Sequence, residues 1–388
     1  MPLSTVKPAL ITLISFFCCL TCFGQTPARD TTYHYTVPQQ LNDGIITGNI
    51  ATVGIDSLPV IKLTRLILAD TFTNIHSLLI FRKGRLVYEN YFAGRDEVWG
   101  LKLGYINHDI NSLHDVRSIS KSIVSTCIGI ALAQKKIKSI DDPIFNYLPD
   151  YITCKTEANS TITIRSLLTM SSGIKWDEDS PHNTSGNDET QMERSRDPVA
   201  YTLSLPMAAK PGLIWNYNSG GVQVLAAIIK NVSGYDIDEF ATKFLFEPLE
   251  IKDHRWIKMR KDFQAAASGL RLRSRDLLKI GMLFLNKGKY DHTQVIPENW
   301  VKQSISTVLL RDSDTKNNGY GYLFWTETDS VYQKAHYIVS ARGNGGERLF
   351  IDAKSKLIVV ITAGNYNTPN VVNDGQKALV KYILPALN

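Results

Sequence analysis

Ser118-Ile119-Ser120-Lys121-Ser122-Ile123-Val124-Ser125-Thr126-Cys127-Ile128-Gly129-Ile130-Ala131 is the stretch whose reading decides the fold. Ile119, Ile123, Cys127 and Ala131 recur about one turn apart, so residues 118–135 are expected to be helical. Ile128, Ile130 and Leu132 widen the apolar face, which marks a core helix. Its first turn carries Ser118 and Lys121, and positions i and i+3 share a helix face. A Lys so placed can take the proton of a Ser nucleophile, and the helix N-terminus stabilises a developing oxyanion. The same spacing recurs at Ser4…Lys7, Ser172…Lys175 and Ser313…Lys316, so an N-cap Ser beside a solvated Lys stands as the plain alternative. Only the pair at 118 and 121 opens a long apolar helix.

Upstream, Asp56-Ser57 followed by Pro59 opens a helical run through Val60, Ile61, Leu63, Ile67 and Leu68. Residues 77–82 and 85–92 read as strands of a hairpin turning at Lys83-Gly84. Downstream, residues 139–264 are punctuated by Pro143, Pro149, Pro181, Pro198, Pro206 and Pro211 and read as an all-helical insertion. A polar excursion at 177–188 is read as a solvated loop, with a lid as the other reading. Residues 275–285 form another expected helix. Strands follow at 321–325, 336–339, 347–351 and 357–362, the last dense enough in Val and Ile to be central.

The 388-residue chain has 43 Lys and Arg against 37 Asp and Glu, with 44% hydrophobic and 21% charged residues. That is globular composition, and the basic residues are dispersed, which argues against a nucleic-acid partner. Residues 1–24, with Lys7 ahead of an uncharged apolar run, read as a cleaved secretory signal and give a secreted or periplasmic protein; an uncleaved membrane anchor is the alternative. Three of the five cysteines fall in that segment, leaving Cys127 and Cys154 and no disulfide framework. His-Glu-x-x-His is absent, and the eight histidines form no closely spaced pair, so no metal is expected.

Two further segments carry chemistry. Pro211-Gly212-Leu213-Ile214-Trp215-Asn216-Tyr217-Asn218-Ser219-Gly220-Gly221 sets Tyr217 on a turn before a helix at 222–230. A Tyr phenol can relay a proton, and with a pKa of about 10 it needs a cation such as Lys121 to act as phenolate near neutrality; a packed aromatic corner is the alternative. Ala341-Arg342-Gly343-Asn344-Gly345-Gly346 leads into a strand and lets backbone N–H groups approach a substrate, or is a plain hairpin turn.

In this order, Ser118 and Lys121, then Tyr217, then the glycine-rich strand entry, the chain resembles the serine β-lactamase-like hydrolases: class C β-lactamases, penicillin-binding DD-peptidases and related esterases. The stretches 162–173, 245–249 and 268–272 also look like that superfamily, and the likeness runs from about residue 56 to 382. Tyr217-Asn218-Ser219-Gly220-Gly221 and Gly343-Asn344-Gly345-Gly346 look closest to its 6-aminohexanoate-dimer hydrolase-like side. The resemblance implies an antiparallel sheet flanked by helices (α/β, or α+β) with the helical insertion, and one hydrolase domain over residues 25–388. It implies that Ser118 is acylated, Lys121 is its base, Tyr217 relays protons, and the N–H groups of Ser118 and Asn344 form the oxyanion hole. Ser219, Arg342, Gly343 and Gly345 would bind substrate. The usual Tyr-x-Asn becomes Tyr217-x-Ser219, and the Lys-Thr-Gly or His-x-Gly triplet becomes Ala341-Arg342-Gly343, so the side chain that usually helps hold a β-lactam carboxylate is missing. The expected activity is hydrolysis of a small-molecule or peptide-like amide or ester without cofactor; the alternative is a non-hydrolytic penicillin-recognising or ligand-binding protein on the same fold.

Overall fold

In the computed structural model, which describes residues 31–259, 263–311, 318–368, 371 and 373–388, the expected signal segment lies outside the described residues. The Asp56 side chain accepts from the Leu58 amide and so caps α1, Ser57–Leu68. Lys83 and Gly84 both take positive φ, 49° and 86°, the turn that matches strand twist in a tight hairpin. It joins β1, Ile75–Arg82, to β2, Arg85–Tyr91. β3, Gly94–Val98, and β4, Leu101–Ile106, form a separate ribbon. The sequence does not signal this ribbon, because β4 is almost wholly exposed and has no buried face to alternate with. β5, His114–Asp115, leads into α2, Ile119–Ala133, where the periodicity places a helix.

α3, Ile164–Leu168, α4, Asp188–Arg194, α5, Pro198–Ser204, α6, Ser219–Ser233, and α7, Ile237–Ala241, occupy the expected insertion. The insertion is not all helical, however. β6, His254–Trp256, pairs with β7, Leu270–Leu272, which pairs in turn with β5. Three residues are too few for an alternation to register in sequence. This ribbon anchors the start of α2, since the Leu270 amide donates to Ser120 Oγ at 3.1 Å.

α8, Ser274–Leu285, the short strands β8, Lys289–Tyr290, and β9, Thr293–Gln294, and α9, Glu298–Ser304, precede the rest of the sheet. Its strands are β10, Leu309–Leu310, β11, Asn318–Tyr320, β12, Trp325–Val331, β13, Lys334–Arg342, β14, Arg348–Asp352, and β15, Leu357–Ala363; α10, Asp374–Ala378, follows. The strand expected over 321–325 is broken. Leu323 turns to φ 59° and its amide donates to Leu168 O at 2.9 Å, so the chain bends toward α3 before β12 begins. The eight-stranded antiparallel sheet runs β10-β11-β12-β13-β14-β15-β1-β2, with β15 in its interior.

Every residue of β1 is buried, as befits a strand covered on both faces. Leu79 and Phe81 point into a core shared with Ile119 and Ile123 of α2, whereas Leu78 and Ile80 point into a second core with Val60 and Leu63 of α1. The first core locks α2 between sheet and insertion and thereby fixes the position of its first turn.

Candidate active site

Arg117, which delivers the chain to Ser118, has φ 48°, a left-handed conformation that costs a non-glycine residue on the order of 1–3 kcal/mol. Its side chain is held on all sides. The guanidinium pairs with Glu97 and Asp115 and lies 5.3 Å from the Trp99 ring centroid and 4.6 Å from that of Tyr366. Ser118 caps α2 by position, but its hydroxyl makes no cap hydrogen bond. It accepts instead from Lys121 Nζ at 2.9 Å. Lys121 is 1% exposed, so it is no solvated lysine, and Nζ donates also to Ala267 O at 3.2 Å.

Tyr217 arrives from the insertion on the turn before α6, whose cap Asn218 accepts from the Gly221 amide at 2.8 Å. Lys121 Nζ sits 4.8 Å from the Tyr217 ring centroid, and Ser118 lies close enough to the phenol to oppose the upward shift of its pKa. The expectation of a Lys121-stabilised phenolate needs correction. Burial first, and then the charge of Glu178, push the phenol well above its ordinary 10, and Lys121 Nζ lies over the ring and not at the hydroxyl. Tyr217 is therefore a protonated phenol at neutral pH.

Glu178, which no sequence motif singles out, completes this corner. Its carboxylate accepts from Trp176 Nε1 at 2.8 Å, the Ser219 amide at 2.8 Å and Ser219 Oγ at 2.7 Å. Burial and the neighbouring Glu189 push it upward, against Lys121 and the Ser219 hydrogen bonds. Ser219, expected to bind substrate, is fully buried and gives its hydroxyl to Glu178, so in this structure it positions Glu178. The excursion 177–188 folds on itself: Asp177 accepts from the Asp179 and Ser180 amides and from Ser180 Oγ, and residues 181–186 are exposed.

The third wall is the segment after β13. A Cβ at Gly343 would lie 2.5 Å from Val116 O, so only glycine lets this segment close on the chain two residues before Ser118. Gly345 has φ 139°, again glycine's territory. Asn344 is locked to Asn367, donating from Nδ2 at 2.7 Å and accepting the Asn367 amide at 3.0 Å. Arg342 is engaged within the protein: Nε donates to Ser340 Oγ at 2.8 Å, the head pairs with Glu327, and it lies 5.3 Å from the Trp325 centroid. Trp325 stacks on Tyr217 at 5.5 Å and meets Trp215 and Tyr320 edge-on, forming an aromatic wall. Beneath the glycines lies Glu347, fully buried, its carboxyl pushed up to about 8 by burial.

Histidines that are not neighbours in sequence come together in the fold. His76, His108 and His114 converge with Asp96, their candidate donor atoms all within 4.8 Å of one another, because β1, β3, β5 and the segment after β4 meet there.

An antiparallel sheet flanked by helices, with a Ser-x-x-Lys pair at the start of the central helix and a Tyr from the insertion, defines the β-lactamase/transpeptidase-like superfamily. Within it, the Beta-lactamase family matches residues 76–381, and the chain belongs to that family. The 6-aminohexanoate-dimer hydrolase of Paenarthrobacter ureafaciens is 23% identical over 264 residues, 64% of this chain and 65% of that protein, so the match spans just under two thirds of the curated relative. Among solved structures, the octameric penicillin-binding protein homologue of Pyrococcus abyssi is similar, with TM-score 0.63 and 19% identity over 84% of this chain and 79% of that one. So is a class C β-lactamase of Rhodobacter sphaeroides, with TM-score 0.62 and 15% identity over 85% and 100%.

Proposed function

We propose that this protein is a serine hydrolase that cleaves an amide or ester through an acyl-enzyme on Ser118. The observation that carries this reading is the 2.9 Å contact of Lys121 Nζ with Ser118 Oγ, with the Tyr217 ring centroid 4.8 Å from the same Nζ. Lys121 accepts the Ser118 proton as Oγ attacks the carbonyl carbon. The oxyanion forms against the Ser118 and Asn344 amides, and Tyr217 gives its proton to the leaving nitrogen or oxygen as that bond breaks. Lys121 then returns a proton to Tyr217, and water releases the acyl group by the reverse relay. The aromatic wall of Tyr217, Trp215 and Trp325 favours an apolar substituent beside the scissile bond. With Arg342 committed to Glu327 and Ser340, a free substrate carboxylate is a poorer fit than an uncharged group. Secretion after removal of residues 1–24 belongs to the same reading.

The test is intact mass after exposure to a fluorophosphonate, beside p-nitrophenol release from a short-chain ester, for the parent and Ser118→Ala. Labelling and turnover in the parent alone are expected. A folded parent that neither labels nor turns over would favour a ligand-binding role, and full activity in Ser118→Ala would remove Ser118 from the chemistry.

A further inference from the structure

We infer that His76, His108, His114 and Asp96 form a structural zinc site behind the nucleophile turn. All four are buried: His76 and His114 are 0% exposed, Asp96 7% and His108 8%. Their candidate donor atoms lie within 4.8 Å of one another. A tetrahedral zinc ion with bonds of about 2.0–2.1 Å spaces its ligand atoms roughly 3.3 Å apart, so modest side-chain rotation closes the set.

Two of the hydrogen bonds around the cluster fix which histidine nitrogen keeps a lone pair for it. His76 Nε2 donates to Arg95 O at 3.0 Å and His108 Nδ1 donates to Phe92 O at 2.8 Å; carbonyls only accept, so these nitrogens carry the protons. That leaves His76 Nδ1, which has no partner, and His108 Nε2, which faces Asp96 Oδ2 at 3.4 Å, as acceptors. Asp96 Oδ1 is occupied by the Glu97 amide at 2.8 Å and the Tyr366 hydroxyl at 3.3 Å, so Oδ2 is the oxygen left for the histidines. Neither ring nitrogen of His114 has a hydrogen-bond partner among the described residues. Buried polar atoms are normally paired, yet His76 Nδ1 and both nitrogens of His114 have no partner and the 3.4 Å His108–Asp96 contact is the one polar contact within the cluster, an arrangement that suits a cation. Backbone carbonyls holding the far nitrogens of ligating histidines are the usual outer shell of such a site.

Three imidazoles and a carboxylate suit zinc, and the burial of all four leaves no open position for water or substrate, so the role is structural. The ion would staple β1, the β3–β4 ribbon and β5 together, and β5 ends three residues before Ser118. Tyr366 extends the tie to the Arg117 guanidinium.

The test uses the full folded chain. After dialysis against metal-free buffer, elemental analysis should find one equivalent of zinc, and chelation should lower the melting temperature until zinc is restored. Cobalt added to the stripped protein should give the intense visible bands of four-coordinate cobalt, lost in His108→Gln and Asp96→Asn. Since His114 variants can fail to fold, the wild-type metal content and cobalt spectrum decide. A folded protein that holds no stoichiometric zinc, shows no cobalt bands and melts unchanged after chelation overturns the site and leaves a proton shared between His108 and Asp96.

Discussion

Replacing Glu347 with glutamine should stabilise the protein in a way that grows with pH. Glu347 is fully buried under the glycine segment, and neither carboxyl oxygen finds a partner in another residue. Burial pushes its carboxyl from 4.5 up to about 8, opposed by a backbone hydrogen bond and by the charges of Arg117 and Arg348. Since the folded value is the higher one, the stability linked to this group is fully present below pH 4.5. It is lost as the pH rises through 8, because the native state retains a proton that the unfolded chain has already released. The slope is about 1.4 kcal/mol per pH unit, and the gap between the two values corresponds to a ceiling of about 5 kcal/mol above pH 8. Glutamine keeps the shape and has no proton to lose. Urea unfolding of parent and Glu347→Gln from about pH 5 to pH 9 should give a difference curve that climbs in favour of the variant. Glu178 and Glu193, also pushed upward, act on both proteins and cancel in the difference. A flat difference, or one favouring glutamate at the alkaline end, would refute the reasoning.

Three further outcomes are expected. Lys121→Ala should lower kcat/KM by about 10²–10⁴ with acylation, not affinity, as the slowed step; a change confined to KM in stopped-flow traces would deny Lys121 its role. Tyr217→Phe should cost amides more than activated p-nitrophenyl esters, because a good leaving group needs no proton; equal losses on both substrates would mean that Tyr217 only packs. Gly129→Ala should destabilise by about 1–3 kcal/mol although alanine favours helices, because its Cβ would lie 2.5 Å from the indole of buried Trp300. A urea midpoint at or above that of the parent would contradict the close packing of α2 on Trp300.

Periodicity carried much of the architecture. α1, the β1–β2 hairpin, α2, α8 and β15 bury one face or both, and burial is what writes a pattern into sequence. β4 was illegible because it buries nothing, and the break before β12 because Leu323 adopts a conformation its residue type does not announce. In the site, Ser118, Lys121 and Tyr217 could be singled out, and the structure brings their side chains into contact. Glu178 escaped notice because a glutamate in a polar loop looks like any other, and its partners Trp176 and Ser219 reach it only after folding. The histidines were missed for a related reason. Spacing rules detect ligands on one local element, whereas these four come from separate segments.

The seam between β1 and β15 lies inside the sheet, and Ser77 hydrogen-bonds Thr362 across 285 residues of chain. The first strand of the sheet to be synthesised must therefore wait for the last. Until β15 emerges, β1, with its apolar run over residues 78–81, has its hairpin partner on one side and nothing on the other, a state prone to association with other chains. Closing so long a loop slows folding more than it lowers stability. Refolding should be slow, concentration-sensitive and abolished by deletions that remove β15, while the Asn388 amide donates to Gly54 O at 3.0 Å, so a circular permutant joined there, in which β15 precedes β1 with α10 and α1 between them, should refold faster.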